Sequence, residues 1–272
     1  MTVTDPLFDL SNRVVVITGG LGQLGRHYAG TLLDRGAKVV VLDNRDDAKA
    51  LAAAFPDTGR ERLMLLAADV TNRAELVGAL ARLAAVWGPP HALVNNAAID
   101  SPPDAPASEN GPFETYPEES WDKVMDVNVK GVMLCCQVFG AAMAKAQRGS
   151  IINIGSIYGV VSPDQSLYEY RRTKGEAFYK PAAYSASKSA LYTLTRYLAT
   201  YWAPHVRVNI LTLAGVFNHQ DPAFLETYQR RMPMRRMARA DEYGGALVFL
   251  LSDASSYMTG AELRLDGGWT AL

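Results

Sequence analysis

Short apolar runs alternate with longer segments of helical periodicity along this chain, and that alternation restricts the folds it can adopt. Seven runs rich in valine, isoleucine and leucine are predicted strands: Val14–Thr18, Lys38–Leu42, Leu63–Ala68, Ala92–Asn95, Ser150–Ile154, Val206–Leu213 and Glu262–Leu265. Helical patterns lie between them, for example Leu24–Asp34, Arg73–Val86, Trp121–Lys145 and Tyr184–Trp202. Continuous apolar strands separated by helices are typical of a parallel sheet with helices on both faces. The pattern predicts the α/β class, as a doubly wound parallel sheet of about seven strands.

The length suits one large domain. The chain has 272 residues, of which 49% are hydrophobic, enough for a substantial core. No internal repeat or long linker divides it, so we predict a single domain over residues 1–272. Three irregular stretches, near 99–117, 163–181 and 215–240, follow predicted strands. Loops after strand carboxyl ends form the ligand crevice of doubly wound sheets, so these stretches are the predicted substrate walls.

Composition excludes several classes of partner. The formal net charge is −1, which gives no basis for binding nucleic acid or an anionic membrane. Cys135 and Cys136 are adjacent in an apolar helical run, a spacing that suits neither a disulfide framework nor a metal site, so we predict buried thiols and no metal. The N-terminal segment lacks a signal-peptide core. We see no apolar stretch of the ~20 residues that span a bilayer, and a cytoplasmic protein without a membrane partner is expected.

A glycine-rich turn follows the first predicted strand and opens the first helix. It runs from Thr18 to Gly25 and fits either Gly-x-Gly-x-x-Gly, counted from Gly20, or Thr-Gly-x-x-x-Gln-x-Gly, counted from Thr18. Glycines allow a tight turn and close backbone approach, and a helix N-terminus stabilises a pyrophosphate. In this strand–turn–helix setting the pattern predicts dinucleotide binding of the Rossmann type.

The residue at the tip of the second strand indicates which dinucleotide. Asp43 stands where an acidic side chain accepts hydrogen bonds from the adenosine ribose. A carboxylate repels a 2′-phosphate, which favours NAD over NADP, whereas Arg45 two residues later is able to pair with that phosphate. We give the carboxylate more weight, because it lies at the strand tip itself, and predict NAD.

Tyr184 and Lys188 are one helical turn apart, so they share a face of a predicted helix. A free tyrosine titrates near pH ~10, too high for a base at neutral pH. A lysine charge within a few ångströms favours the phenolate, which makes the tyrosine a workable acid or base. Tyr-x-x-x-Lys also occurs often by chance on solvated helices, so the pair has to be judged together with the rest of the chain.

In its motifs the whole chain resembles the short-chain dehydrogenase/reductase family, in the short branch of ~250 residues. The motifs occur in order: Thr18-Gly19 to Gly25, Asp69-Val70, Asn95-Asn96-Ala97-Ala98, Asn128 within Asp-Val-Asn-Val-Lys-Gly131, Ser156, Tyr184 with Lys188, and Asp266-Gly267-Gly268. Seven motifs in order make coincidence very improbable. The long gap between Ser156 and Tyr184 and the variant glycine turn are also similar to those of members tied to bacterial surface-sugar and flagellin-sugar pathways.

The resemblance implies a catalytic tetrad. Tyr184 would exchange a proton with the substrate oxygen, Lys188 would lower its pKa and hold the nicotinamide ribose, and Ser156 would hydrogen-bond the reacting oxygen. Asn128 would anchor a water that relays protons to Lys188. Asp69 would contact adenine, Asn95 and Ala97 would line the cofactor channel, and Val216 would meet the carboxamide. The full implied cofactor set is Gly19, Gln23, Leu24, Gly25, Asp43, Asn44, Asp69, Val70, Asn95, Ala97, Tyr184, Lys188, Gly215 and Val216.

The chain departs from the family pattern in four places. Gln23 replaces the middle glycine of the turn, Ala98 replaces a final glycine, and Ala214 replaces the proline before Gly215. The fourth departure is the gap of 28 positions between Ser156 and Tyr184, roughly twice the usual one. We expect the extra residues to form an excursion around Asp164–Phe178 over the active site.

Basic and aromatic residues in two of the irregular stretches suggest a polar substrate. The excursion carries Arg171, Arg172, Lys174 and Lys180 among tyrosines, and the later loop adds His219. Such charges are often simply solvated, but converging on one crevice they would bind an anionic or highly hydroxylated group. The predicted substrate set is Ser156, Tyr184, Arg171, Arg172 and His219.

The leading functional prediction is an NAD-dependent oxidoreductase that transfers a hydride between nicotinamide and a secondary alcohol or ketone of a polar sugar or sugar-acid-like compound. One alternative is an epimerase or dehydratase on a nucleotide sugar, although few residues remain after Lys188 for a substrate domain. Others are a 3-oxoacyl or other carbonyl reductase using NADPH, and a non-catalytic dinucleotide sensor. We expect a homotetramer or dimer, from the resemblance and from the tail that follows Asp266.

Overall fold

A seven-stranded, fully parallel sheet forms the centre of the computed structural model, which describes residues 5–56, 58–59, 61–100 and 109–272. The strands are β1 Val14–Thr18, β2 Lys38–Asp43, β3 Leu63–Ala67, β4 Ala92–Asn95, β5 Gly149–Ser156, β6 Val206–Leu213 and β7 Glu262–Leu265. Their order across the sheet is β3-β2-β1-β4-β5-β6-β7, and each neighbouring pair is parallel. The predicted doubly wound α/β architecture is confirmed.

Side chains of the central strands alternate between two separate cores. Val14 and Val16 face a cluster that includes residues of the third, fourth and sixth helices, whereas Val15 and Ile17 face a cluster formed with the first and last helices. All four of these side chains are almost fully buried. Because successive strand residues point to opposite faces, a strand with no polar position has to be covered on both sides.

The helices lie between the strands in sequence and cover both faces. They are α1 Gln23–Asp34, α2 Ala48–Ala54, α3 Arg73–Trp87, α4 Glu118–Lys145, α5 Glu169–Arg172, α6 Ala182–Tyr201, α7 Pro222–Arg231 and α8 Gly244–Leu251. Short 3₁₀ turns occur at Pro6–Phe8, Phe113–Thr115, Ile157–Gly159, Gln165–Tyr168, Ala240–Tyr243, Asp253–Ser255 and Trp269–Ala271. The four helices predicted from the sequence all exist, with boundaries moved by at most a few residues.

The long helix α4 corrects one expectation. By length and composition it is apolar enough to cross a bilayer, although the sequence was expected to hold no such stretch. More than half of the apolar window is buried inside the fold, where Val132, Cys135 and Phe139 pack against the sheet. Its apolarity is therefore that of a core helix. Two π-helical segments, Asp126–Gly131 and Cys136–Gly140, interrupt its α-helical hydrogen bonding.

The strand order reverses direction at β1, which lies between β2 and β4. Ligands of doubly wound sheets bind in the crevice outside the strand carboxyl ends at such a point. Two of the three irregular stretches have described structure here: 163–181 contains α5, and 215–240 contains α7. The first stretch, 99–117, includes residues 101–108, and that part of the predicted wall lies outside the described residues.

A third hydrophobic cluster lies over the sheet and joins the excursion to the C-terminal tail. Tyr168 packs with its ring centroid 4.9 Å from that of Phe178 and 5.6 Å from that of Phe224, and Tyr228 stacks on Trp269 at 4.7 Å. Aromatic pairs at these separations add to the free energy gained by burial. The excursion is thus a packed wall of the crevice.

Candidate active site

Three polar side chains of the implied tetrad meet at the carboxyl end of β5. Tyr184 and Lys188 lie on one face of α6, and Ser156 is the last residue of β5. Lys188 Nζ lies 5.7 Å from the centroid of the Tyr184 ring and donates a hydrogen bond of 2.9 Å to the carbonyl oxygen of Ile154. β5 continues beyond its predicted end at Ile154 as far as Ser156, and this extension brings the serine to Tyr184.

Burial dominates the electrostatics of this cluster. It raises the pKa of the Tyr184 phenol well above its ordinary value; the Asp100 carboxylate raises this pKa further, and a hydrogen bond from Ser156 lowers it. Burial also lowers the pKa of Lys188 to about 8, so this lysine is still mainly protonated at neutral pH. The Ser156 oxygen accepts a 3.1 Å hydrogen bond from the Tyr158 backbone N–H, which leaves its hydroxyl hydrogen for donation.

A second lysine, which the sequence interpretation placed only among the basic residues of the excursion, lies beside the same tyrosine. Lys180 Nζ is 5.1 Å from the Tyr184 ring centroid and forms an ion pair with Asp100. Its side chain is only 9% exposed. Asp100 and Lys180 are far apart in the sequence and belong to no motif, so no sequence signal indicated that they would meet here.

Asn128 connects α4 to the end of β4. Its Oδ1 accepts a hydrogen bond from the Ile99 N–H at 2.8 Å, and its Nδ2 donates to the Ile99 carbonyl at 2.9 Å and to Ser187 Oγ at 3.0 Å. Both hydrogens of the amide nitrogen are therefore used by the protein. The side chain fixes the backbone leading into Asp100, and a relay water held by Asn128 would have to bind at its backbone carbonyl.

The glycine-rich turn forms a cradle that side chains would fill. Gly19 has φ +61°, and a Cβ there would lie 2.9 Å from Ala97 Cα; a Cβ on Gly25 would lie 2.4 Å from the Gly19 carbonyl oxygen. None of the described side chains caps the N-terminus of α1, where Gly22 is the N-cap residue. Free N–H groups beside a close-packed turn suit a pyrophosphate, so the residues present fit a dinucleotide.

Asp43 is buried at the tip of β2, with 5% exposure. Its Oδ2 accepts a 3.0 Å hydrogen bond from the Leu21 N–H, and its Oδ1 accepts from the Arg45 backbone N–H at 3.2 Å and from Arg45 Nε at 3.0 Å. Asp43 and Arg45, which favour different cofactors in the sequence analysis, are thus bonded to each other. A groove of about 1330 Å³ passes these residues, and it is also lined by Gly19, Gln23, Leu24, Asn44, Asp69, Val70, Ala97, Tyr184 and Val216.

The structure separates the two adjacent asparagines after β4. Asn95, predicted to line the cofactor channel, points into the core and donates to Asn153 Oδ1 at 2.8 Å and to Cys136 Sγ at 3.3 Å. Asn96 instead lines the groove, and its Nδ2 donates to the carbonyl oxygens of Thr18 at 2.9 Å and Gly19 at 3.1 Å. Strand alternation explains why Asn96 lines the groove and Asn95 does not, since neighbouring strand residues face opposite ways.

A cavity of about 740 Å³ adjoins the tyrosine on the side away from the core. Gly215 and Val216, predicted to bind the cofactor, and His219, predicted to contact the substrate, all line it. His219 has a φ of +55°, and its ring centroid is 5.2 Å from that of Phe217. The remaining polar lining includes Ser156, Tyr158, Tyr168, Tyr170, Lys180, Asn218, Gln220 and Asp221. The lining is therefore mixed, with apolar side chains, neutral hydrogen-bonding groups and the charged groups of Asp100, Lys180, Lys188 and Asp221.

Arg171 and Arg172 do not line that cavity, so its geometry gives no support to the prediction that they contact substrate, which stays a prediction. Arg171 pairs with Glu176, and its guanidinium lies 4.1 Å from the Phe178 ring centroid. Arg172 donates to the carbonyl oxygens of Phe178 at 2.9 Å and Gln165 at 2.7 Å. An irregular segment has few internal backbone hydrogen bonds, so its carbonyl groups capture nearby guanidinium groups. The arginines hold the excursion in shape.

Gln23, the departure from the family's glycine, contacts the opposite side of the crevice. Its Nε2 donates a 2.8 Å hydrogen bond to the carbonyl oxygen of Phe217, 194 positions away. The substitution therefore links the glycine-rich turn to the loop that lines the substrate cavity.

Cys135 and Cys136 are buried free thiols, as predicted. Burial raises the pKa of Cys136 to about 12, which leaves it without thiolate character at neutral pH. Across the described ranges, no three His, Cys, Asp or Glu side chains are grouped so as to hold a metal ion.

Comparisons with known proteins agree with this geometry. Residues 22–270 match the family model described as enoyl-(acyl carrier protein) reductase. The NAD-dependent glycerol dehydrogenase of Listeria innocua is 30% identical, with 98% of this chain and 97% of that protein covered. The galactitol 2-dehydrogenase of Rhizobium johnstonii is 32% identical, with 97% of each covered.

A solved structure of gluconate 5-dehydrogenase from Burkholderia cenocepacia, in complex with NADP and tartrate, superposes with a TM-score of 0.84. It is 28% identical and covers 98% of both chains. The fold, the ordered motifs and the full-length relatives lead to one conclusion: this chain belongs to the short-chain dehydrogenase/reductase family and is an oxidoreductase.

Proposed function

We propose that the protein is an NAD-dependent dehydrogenase that oxidises a secondary alcohol of a small polyhydroxylated compound to the ketone. The observation that carries the proposal is the cavity beside Tyr184, whose lining combines apolar side chains with many hydroxyl, amide and imidazole groups. Such a lining matches hydroxyl-rich substrates, because each hydroxyl both donates and accepts. The glycerol and galactitol dehydrogenases among the relatives support the same class.

In this proposal Tyr184 is the base that takes the hydroxyl proton of the alcohol. Ser156 donates its free hydroxyl hydrogen to the same substrate oxygen, opposite the 3.1 Å contact it accepts from Tyr158. Lys188, anchored on the Ile154 carbonyl, supplies positive charge 5.7 Å from the phenol ring and favours the phenolate. The oxidised nicotinamide cofactor, when bound, accepts the hydride and brings further positive charge to the site.

The NAD preference rests on Asp43. The carboxylate is buried at the tip of β2, with Arg45 already paired to it. A 2′-phosphate would be placed against that negative charge, and Arg45 would have to leave its partner to neutralise the phosphate. Members of the family use either dinucleotide, as the NADP-bound gluconate 5-dehydrogenase shows, so the ratio of kcat/KM for NAD and NADP is the deciding measurement.

A carbonyl reductase using NADPH is the second candidate, because the matching family model is described as a reductase of acyl-carrier substrates. The two candidates differ in substrate polarity. A panel of polyols and sugar acids with NAD, run beside an acetoacetyl thioester with NADPH, separates them. Reduction of the thioester without oxidation of any polyol would replace our proposal.

The acid–base role of Tyr184 is tested by Tyr184→Phe, which removes the hydroxyl and little volume. We expect turnover to fall by ~10²–10⁴-fold, the usual contribution of general acid–base catalysis, while NADH binding measured by fluorescence is kept. Tyr197→Phe is the matched control, since Tyr197 is an exposed residue of the same helix. Retention of more than about a tenth of the activity by Tyr184→Phe would remove it from this role.

We further propose a cytoplasmic protein that assembles as a homotetramer or dimer. The support is the family membership.

A further inference from the structure

The phenol ring of Tyr184 has two lysines near it that have different partners. Lys188 donates to a backbone carbonyl, whereas Lys180 pairs with Asp100, and both lysines line the substrate cavity. We propose that Lys180 and Asp100 together bind the hydroxyl group on the carbon next to the reacting one, so that the enzyme selects vicinal diols. This inference rests on the proposed alcohol oxidation and assigns its specificity to two residues.

The backbone of Lys180 is fixed by a side chain from the start of the excursion. Gln165 Oε1 accepts from the Lys180 N–H at 2.9 Å, and Gln165 Nε2 donates to the Lys180 carbonyl at 3.0 Å. Together these two bonds close the excursion immediately before α6 begins. A lysine held in this way and 9% exposed is not an ordinary solvated charge.

The pair lies within reach of a substrate bound at the tyrosine. Asp100, Lys180, Ser156 and Tyr184 line the same cavity. The ammonium group is 5.1 Å from the centroid of the Tyr184 ring, and Lys180 lies immediately before Pro181, the N-cap residue of α6. A substrate oxygen at the phenol therefore has its neighbouring carbon, and that carbon's substituent, next to the ion pair.

The chemistry of the pair selects among substituents. Lys180 only donates hydrogen bonds and Asp100 only accepts them, whereas a hydroxyl group does both and can bind the two together. A carboxylate substituent would be repelled by Asp100, and an alkyl substituent would remove water from both charges without replacing its hydrogen bonds. The pair therefore favours a hydroxyl over an alkyl or a carboxylate group at this position.

The test compares two alcohols that differ at this position, butane-2,3-diol and butan-2-ol, by kcat/KM at saturating NAD. We expect the wild type to prefer the diol, and Lys180→Met to reduce the diol-to-monool ratio by roughly 10- to 100-fold, the effect of losing one charge-assisted hydrogen bond. Lys174→Met is the control, because Lys174 is an exposed residue of the same segment that does not line the cavity. This control should keep the wild-type ratio.

Each result of this comparison either supports or overturns the role assigned to Lys180 and Asp100. An unchanged ratio in Lys180→Met, or an equal loss on both alcohols, overturns the assignment, since the lysine would then act on Tyr184 or on folding alone. Should Lys180→Met fail to fold by circular dichroism, Asp100→Asn supplies the same ratio. Oxidation of butan-2-ol as fast as the diol by the wild type refutes the diol selectivity but leaves alcohol oxidation standing. Oxidation of neither alcohol, together with oxidation of no member of the polyol panel, refutes the proposed function as well.

Discussion

Arg172→Ala distinguishes an arginine that shapes the excursion from one that contacts the substrate. The guanidinium donates to two backbone carbonyls, of Phe178 and Gln165, and pairs with Glu169. Its side chain is 18% exposed, so we take the lower end of the range for a hydrogen bond with a charged donor, about 1.5 kcal/mol for each carbonyl. The exposed pair with Glu169 adds at most about 1 kcal/mol.

The free energy for local opening of the excursion should therefore fall by about 3 kcal/mol in this variant. Since each 1.4 kcal/mol corresponds to about a factor of ten, amide hydrogen exchange in the segment should accelerate on the order of 100-fold. The amides of Tyr179 and Lys180 report on it, because they bond to Asn110 and Gln165 across the closed segment. The substrate KM should rise with the loosened wall, while NAD affinity stays unchanged.

The control is Arg230→Ala, whose guanidinium forms an exposed pair with Glu226 on α7. It should change exchange in residues 164–180 very little. The reasoning is refuted if Arg172→Ala raises the substrate KM while exchange in the segment keeps its wild-type rate. That result would restore direct substrate contact by Arg172.

Of three further predictions, two concern charges around the crevice and one concerns assembly. Asp43→Ala should lower kcat/KM for NAD and raise the NADP-to-NAD ratio; a wild type that already prefers NADP would contradict the cofactor assignment. Asp100→Asn should lower the pKa of Tyr184, because that carboxylate raises it. Alcohol oxidation uses the phenolate and speeds up as pH rises through this pKa, so the rising limb of the kcat/KM profile should move to lower pH, and an unmoved limb would count against the contact. Light scattering at micromolar concentration should give a dimer or tetramer mass, not a monomer.

The fold was predictable because its signals are local. Each strand is a continuous apolar run that must be buried on both faces, and β1, β4, β6 and β7 have the predicted boundaries. The tyrosine–lysine pair was predictable for the same reason, since a spacing of four residues defines a helix face. Placement of the glycine-rich turn follows from its position between β1 and α1.

The parts of the site that the sequence could not provide depend on contacts between distant segments. Asp100 and Lys180 meet only because β4 ends and α6 begins at the same edge of the sheet. Arg172 looked like a substrate ligand because its charge is visible in the sequence, while the carbonyl groups that bind it are not. Asn95 faces the core and Asn96 the groove because strand alternation fixes their directions, and the motif alone does not say which one faces the groove.

The loop that follows β6 is held by hydrogen bonds that the protein itself supplies. Gln23 holds the Phe217 carbonyl, Gln220 donates to the Val216 carbonyl at 2.8 Å, and the Gly215 N–H donates to the Tyr228 hydroxyl at 3.0 Å. Fixing the backbone of one flexible residue costs about 1–2 kcal/mol in conformational entropy. This entropy is lost when the protein folds and not when the substrate binds. Substrate association therefore need not wait for the loop to close, and the affinity for substrate depends more on contacts than on ordering of the loop.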